Sequence, residues 1–302
     1  MTWGRGWGMK GSIYRMNKIK KQVVWYFFFV AFSVAILFPF VVMISTSLKS
    51  LNEIRVSPYK ILPEVFRFDN YRAFFQSGNW ALYFYNSAVV ASVTTVVSIL
   101  TNAIAGYAFA RLHFYGKDFL FRFALIGMMV PMQTVMIPIY LKVKTIPLAG
   151  GNNLLGQGGI GMLNTTWGVI APLLAGAFGL FLCKQFFESF PISLDEAAKI
   201  DGCSNSRLFF TIYIPLSKPI LATLAILKFT DGWNQYTWPL IITNSDKGRT
   251  VQLALAMFRG SSVVKWDLLM AGTIVTCIPV LILFLALQKY YVQGIVTDGI
   301  KG

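Results

Sequence analysis

Two stretches of this chain hold residues whose types and spacing could act on something. One is SLDEAAKIDGCSNSRLFFTIYIPLSKP, from Ser193 to Pro219, where Asp195, Glu196 and Asp201 surround two alanines and precede a glycine. The other is LKFTDGWNQYTWPL, where Lys228 and Asp231 share a helical face three residues apart and Trp233, Asn234, Gln235 and Tyr236 follow. Aromatic faces beside amides hold sugars by stacking and hydrogen bonding. Covalent catalysis has no such support. The single histidine, His113, lies in a short polar connection, which leaves no HExxH and makes a Ser-His-Asp site improbable there. Cys183, Cys203 and Cys277 are far apart and show no C-x-x-C, so neither a disulfide framework nor a metal site is expected. GGNNLLGQGGIG has a GxxxxG spacing, but Gln157 and Gly158 stand where a nucleotide-binding loop needs Lys and Ser or Thr. It reads as a flexible loop. No catalytic residue and no cofactor of the chain's own are expected, nor a nucleic-acid partner.

The elements that position these residues are set by composition. Of 302 residues 56% are hydrophobic and 13% charged, where a soluble domain carries roughly 25% charged residues. Apolar runs near the ~20 residues needed to cross a ~30 Å hydrocarbon core recur along the chain. Without water to pair the backbone, such runs must be helices or a closed barrel, and continuous apolarity rather than alternation selects helices. The expected fold class is all-α, a polytopic membrane protein with six spans near 22–46, 82–110, 119–142, 166–187, 219–242 and 268–290. Pro39, Pro131, Pro138, Pro172 and Pro279 interrupt them. Residues 1–21 read as an N-terminal arm, flexible or interfacial; 22–290 as one transmembrane domain with a loop at 188–218; 291–302 as a tail. Val23 to Met43 is too long for the ~7–15 residue core of a cleavable signal, so it is kept as the first span. Arg5, Lys10, Arg15, Lys18, Lys20 and Lys21 precede that span without an acid among them. The positive-inside rule then places both termini, and the 188–218 loop, in the cytoplasm.

Within that loop, Ser193 followed three residues later by Glu196 reads as a capping box that starts a helix. Asp195 and Glu196 suit the helix dipole, Ala197 and Ala198 are strong helix formers, and Gly202 supplies a left-handed stop. A second piece begins near Asn205 or Ser206, carries Arg207, Phe209, Phe210 and Tyr213, and ends at Ile214-Pro215. A two-turn helix is far below the ~12–15 residues at which isolated helices become marginal, so something must pack on it. Two readings stand. Either Leu194, Ile200 and the phenylalanines lie against the span ends with the carboxylates solvated, or the helix is a docking site for another protein.

EAAKIDGCSNSRLFFTIYIP resembles the EAA loop of permease subunits in ATP-binding-cassette importers, with Ile214-Pro215 in place of the more usual Leu-Pro and Cys203 in place of Ala. SLDEAAKIDG, IPLSKPILATLAI, WNQYTWPLI, LLMAG and VLILFLALQKYYVQGIVTDGIKG extend the likeness to the maltose-type carbohydrate importer permeases over nearly the whole chain. The resemblance implies a type I importer permease fold in the bacterial inner membrane. It also implies a second related permease, two ATPase subunits that bind ATP and Mg, an extracytoplasmic solute-binding protein and a carbohydrate substrate, within a lipid bilayer. Residues Asp195, Glu196, Ala197, Ala198, Asp201, Gly202 and Arg207 would then couple to the ATPase, with Glu196 pairing with a basic residue there.

Lys228, Asp231, Trp233, Asn234, Gln235 and Tyr236 are candidates for the substrate path. Charges at membrane depth face a cavity or each other, so an intrahelical Lys228–Asp231 pair at a subunit interface is the alternative. The net charge of +15 and its outward share suit an acidic binding protein or an anionic glycan such as a uronate oligosaccharide. The connections holding GGNNLLGQ and NSDKGRTVQLALAMFRG are candidate docking surfaces, and the tail VQGIVTDGIKG a further ATPase contact. The rival class is an ion-coupled secondary transporter, for which several intramembrane acids and broken helices are expected; this chain offers one aspartate in a span. A membrane enzyme has weaker support still.

Overall fold

The computed structural model describes the backbone of residues 6–174, 176–260 and 263–299, and the side chains of 21–174, 176–260 and 263–290. Among these residues every regular element is helical. Three helices, Gly6–Ser47, Trp80–Arg111 and Trp266–Gly299, contain unbroken apolar stretches long enough to cross a membrane, and three bent helix pairs bring the number to six when each counts as one span.

The first unit comprises residues up to 74 together with 265–274. Its long helix begins at Gly6, so the expected arm is helical over most of its length; once an apolar span has nucleated a helix, extending it is easy and no proline intervenes. Beyond Ser47 the chain is tied back by side chains. Asn70 donates to the carbonyls of Ser47 and Lys49, both at 2.8 Å, and the hydroxyls of Ser47 and Tyr71 are 2.9 Å apart. Ser50 caps the short Leu51–Val56 helix, and Glu53 accepts from the Glu64 amide at 2.8 Å.

In the second unit, residues 75–264 and 275 onward, the Trp80–Arg111 helix is central. Small residues let it close on its neighbours. A methyl added at Gly106 would lie 2.5 Å from Cys183 Cβ on the Ala177–Glu188 helix, and one at Gly232 would lie 3.0 Å from Ala91 Cα. Cys183 is wholly buried. It is therefore expected to stay unmodified by a water-soluble maleimide in the native protein and to react after denaturation, read as a mass shift on its peptide.

Three of the expected spans are broken. Lys117–Met129 and Met132–Lys144 meet at 103°, because Pro131 pushes Val130 out of the helical region to φ −87°, ψ 113°. A second break falls after the turn Ala171–Leu173 that contains Pro172. Pro39, Pro138 and Pro279 remain inside continuous helices. The span expected at 219–242 divides into Lys218–Trp233 and Thr237–Ile242, leaving Asn234, Gln235 and Tyr236 in the gap.

The glycine-rich connection after Lys144 is ordered, not flexible as its composition suggested. Asn152 donates to the carbonyls of Lys144 and Ile146 and accepts from the Gly159 amide, and Asn153 accepts from the amides of Leu155 and Gln157. Gly156 sits at φ +75°, and a methyl there would lie 2.1 Å from the Thr145 carbonyl oxygen. Its glycines serve close backbone packing rather than disorder.

Candidate functional site

The 193–216 segment is built as a short helix, a tight reversal and a second helical run. The first helix spans Ser193–Ile200, but Ile192 holds the N-cap position and no side chain caps it, so the expected capping box is not formed. Ser193 already lies one position inside the helix, where its hydroxyl no longer faces the free amides. The far end closes as the sequence implied. Gly202 adopts φ +72°, with the Cys203 amide on the Ala198 carbonyl at 2.9 Å and the Gly202 amide on Lys199 at 3.0 Å, a Schellman closure. Ser204 caps the next piece, accepting from the Arg207 amide. The expected stop at Pro215 does not occur: the chain widens into a π-turn over Phe209–Tyr213 and continues through Pro215 to Leu216. A wider turn carries a proline that lacks an amide and would clash with the carbonyl four residues back. The bend to the next helix is 76°, at Ser217.

The packing reading of the short helix is realised in part. Ala198, Leu208, Phe209 and Tyr213 form one buried cluster with Ala103, Tyr107, Cys183 and Phe187 at the ends of the 80–111 and 177–188 helices. Ile200, expected to pack on those ends, is instead 86% exposed, and Glu196, Ala197, Asp201, Gly202 and Arg207 are exposed with it. Asp195 is turned the other way. Its carboxylate is 3.2 Å from Arg111 Nη1, with the two side chains 13% and 10% exposed, and it accepts from the Tyr213 hydroxyl at 2.9 and 3.0 Å. Arg111 also donates through Nη2 to the carbonyls of Phe187 and Phe190, at 2.7 and 2.5 Å. Sequence reading missed Arg111 and Tyr213, which are 84 and 18 residues from Asp195; only folding makes them neighbours.

The second candidate region is reshaped more strongly. Lys228 and Asp231 do not pair. Asp231 is exposed and accepts from Gln235 Nε2 at 3.1 Å. Lys228 is half-buried and lies over Gly176, where an added methyl would be 2.8 Å from its ammonium; among the described residues it makes no ion pair. Trp233 is 2% exposed, stacks on Phe229 and donates to the Thr276 carbonyl at 3.0 Å, so it has no open face for a sugar. Asn234 and Tyr236 are exposed at the helix break, and Gln252, which sequence reading did not single out, donates to Asn234 at 2.9 Å. The polar side chains gathered at this break are Asp231, Asn234, Gln235 and Gln252. A break in a span is tolerated where it is buried in protein or lines a wet cavity.

The structure thus presents bent helix pairs, a half-buried Lys228 with no ion pair among the described residues and a short helix with an exposed outer face. Residues 102–297 match the family described as "Binding-protein-dependent transport system inner membrane component", and the chain belongs to that family. It is 32% identical to the arabinooligosaccharides transport system permease protein AraQ of Bacillus subtilis (strain 168), over 91% of this chain and 94% of that protein. It is 31% identical to the lactose transport system permease protein LacG of Rhizobium radiobacter, over 85% and 89%. A crystal structure of a bacterial ABC transporter involved in the import of the acidic polysaccharide alginate superimposes with a TM-score of 0.73 at 21% identity, over 96% of this chain and 99% of that one, which shows the shared fold. Broken helices are thus no mark of an ion-coupled carrier here, and the family settles the choice between the two classes in favour of binding-protein-dependent transport.

Proposed function

We propose that this chain is one of two related permease subunits of an ATP-driven oligosaccharide importer, with both termini in the cytoplasm and two separate ATPase subunits seated on the 193–202 helix-turn. The observation that carries it is the outward face of that helix. Glu196, Ala197 and an almost fully exposed Ile200 stand on an eight-residue helix whose other face is fastened to the span ends. A short helix held that firmly, with an isoleucine in water, is suited to a cleft in a partner. Ala197 allows close approach and Glu196 offers a charge to a basic residue there. ATP-driven closure of the ATPases then draws the coupling helices together and turns the spans outward. Sugar passes from the docked binding protein, each ligand shifting the cycle only by its differential affinity for the two states. The sugar class rests on the names of the relatives, which include arabinooligosaccharide and lactose permeases.

The test is co-expression with the neighbouring ATPase, permease and binding-protein genes. Glu196→Ala is expected to weaken ATPase co-purification or to abolish binding-protein-stimulated hydrolysis while the permease remains folded. A role confined to complementing the helix dipole would show only as a stability loss of ~0.3–1 kcal/mol. Vesicle uptake that survives ATP depletion and collapses with an ionophore would overturn the whole assignment.

A further inference from the structure

The Trp80–Arg111 helix is fastened at both ends to other segments of the chain. At one end Arg111 reaches three groups at once: the carbonyls of Phe187 and Phe190 that close the 177–188 helix, and the Asp195 carboxylate of the coupling helix. Tyr213 holds the same carboxylate, and its ring lies 5.5 Å below the guanidinium. One turn earlier on the same helix, Tyr107 donates to the Asn205 carbonyl at 3.3 Å and packs on Tyr213 at 4.9 Å. At the other end Asn86 donates to the carbonyls of both Lys247 and Arg249 at 2.9 Å, and Ser87 accepts from the Val251 amide at 2.8 Å. Trp80 stacks on Phe258 with an interplanar angle of 4°. Between the two ends lie about 25 residues of helix, about 37 Å at 1.5 Å per residue.

A buried ion pair is weak evidence for stability, since apolar replacements often do as well. What it provides here is geometry. A planar guanidinium with several donors fixes the angle between the 193–200 helix and the two span ends in a way that apolar packing of an eight-residue helix does not. We propose that Arg111 and Asn86 are positioning residues of the transport cycle: they make the 80–111 helix a rigid link by which displacement of the coupling helix reaches the 246–255 segment at its other end. Asp195 is then not an ATPase contact but the coupling helix's inner anchor. The proposal rests on the coupling helix being the seat of an ATPase.

The test uses the complex assembled with its ATPase and second permease in lipid vesicles, carrying Lys247→Cys as a reporter whose exposed side chain leaves the backbone carbonyl in place. Maleimide labelling of that peptide is followed by mass spectrometry with and without a non-hydrolysable ATP analogue. In the parent complex the analogue is expected to change the labelling rate at least threefold. Arg111→Lys, which keeps the charge and loses the fork, and Asn86→Leu, which keeps the volume and loses both hydrogen bonds, are each expected to abolish that change. ATPase co-purification and nucleotide binding should stay within about twofold of the parent. Should Arg111→Lys fail to assemble, Tyr213→Phe removes only the donor to Asp195 and is expected to at least halve the response. A full nucleotide response in assembled Arg111→Lys or Asn86→Leu overturns the link. A parent complex in which the ATPase does not co-purify overturns the coupling reading, and the link with it.

Discussion

Lys228→Met is expected to yield a more stable protein that handles anionic oligosaccharides at least tenfold less well. The ammonium is half-buried among the spans, lies against Gly176 and has no carboxylate partner among the described residues. Insertion scales put a central lysine at ~2.5–3.5 kcal/mol, less where a cavity hydrates it, so an unbranched apolar replacement should raise the thermal midpoint of the detergent-purified subunit. A charge kept at a cost to stability suits a passing anion, and its field is strongest where water is scarce. The readout is competition: uronate and neutral oligosaccharides are compared as competitors for vesicle uptake in the parent and in Lys228→Met. Selective loss of uronate competition supports the path reading of Lys228. A lowered midpoint with no change in sugar preference, or a parent with which only neutral sugars compete, would leave the lysine a packing group and end the acidic-glycan hypothesis.

Gly106→Leu should abolish assembly outright, and Gly106→Ala should already lower the thermal midpoint. The methyl of the alanine would stand 2.5 Å from Cys183 Cβ and 3.0 Å from both the Cys183 carbonyl carbon and the Lys184 nitrogen. Overpacking of this kind costs about 1–3 kcal/mol when neighbours can shift, but two of the three nearest atoms are backbone of another helix. Cys183→Gly in the Gly106→Ala background is therefore expected to restore only part of the loss. Gly127→Ala is the control. Its φ of −59° suits any residue, nothing lies within 4 Å of an added methyl, and the substitution should be neutral or stabilise by ~0.4–1 kcal/mol. Equal midpoints for the two alanine variants would show that the 80–111 and 177–188 helices are not in contact at Gly106.

The contrast between these glycines illustrates what a sequence conveys and what it does not. Gly202 was legible because its role is local: a left-handed stop after two helical turns follows from backbone sterics alone. Gly106 carries no such mark, since its smallness answers to Cys183 and Lys184 on a helix far away in the chain. The same holds for charge. Glu196 was singled out by its place in a short acidic helix, whereas Arg111 looked like an ordinary basic residue at a span end until the fold brought Asp195, Phe187 and Phe190 around it.

By itself the sequence determined the all-helical class, the positions of the unbroken spans, the helix and turn at 193–202 and the kinship carried by the EAA stretch, because hydrophobic runs, backbone stops and helix propensity act over a few residues. Tertiary structure alone decided that Asp195 points inward, that Trp233 is an internal anchor, that Lys228 lies over Gly176 without pairing with Asp231, and that a glycine-rich loop is rigid. Those outcomes depend on which surfaces meet, and distant residues acquire their partners only when helices pack.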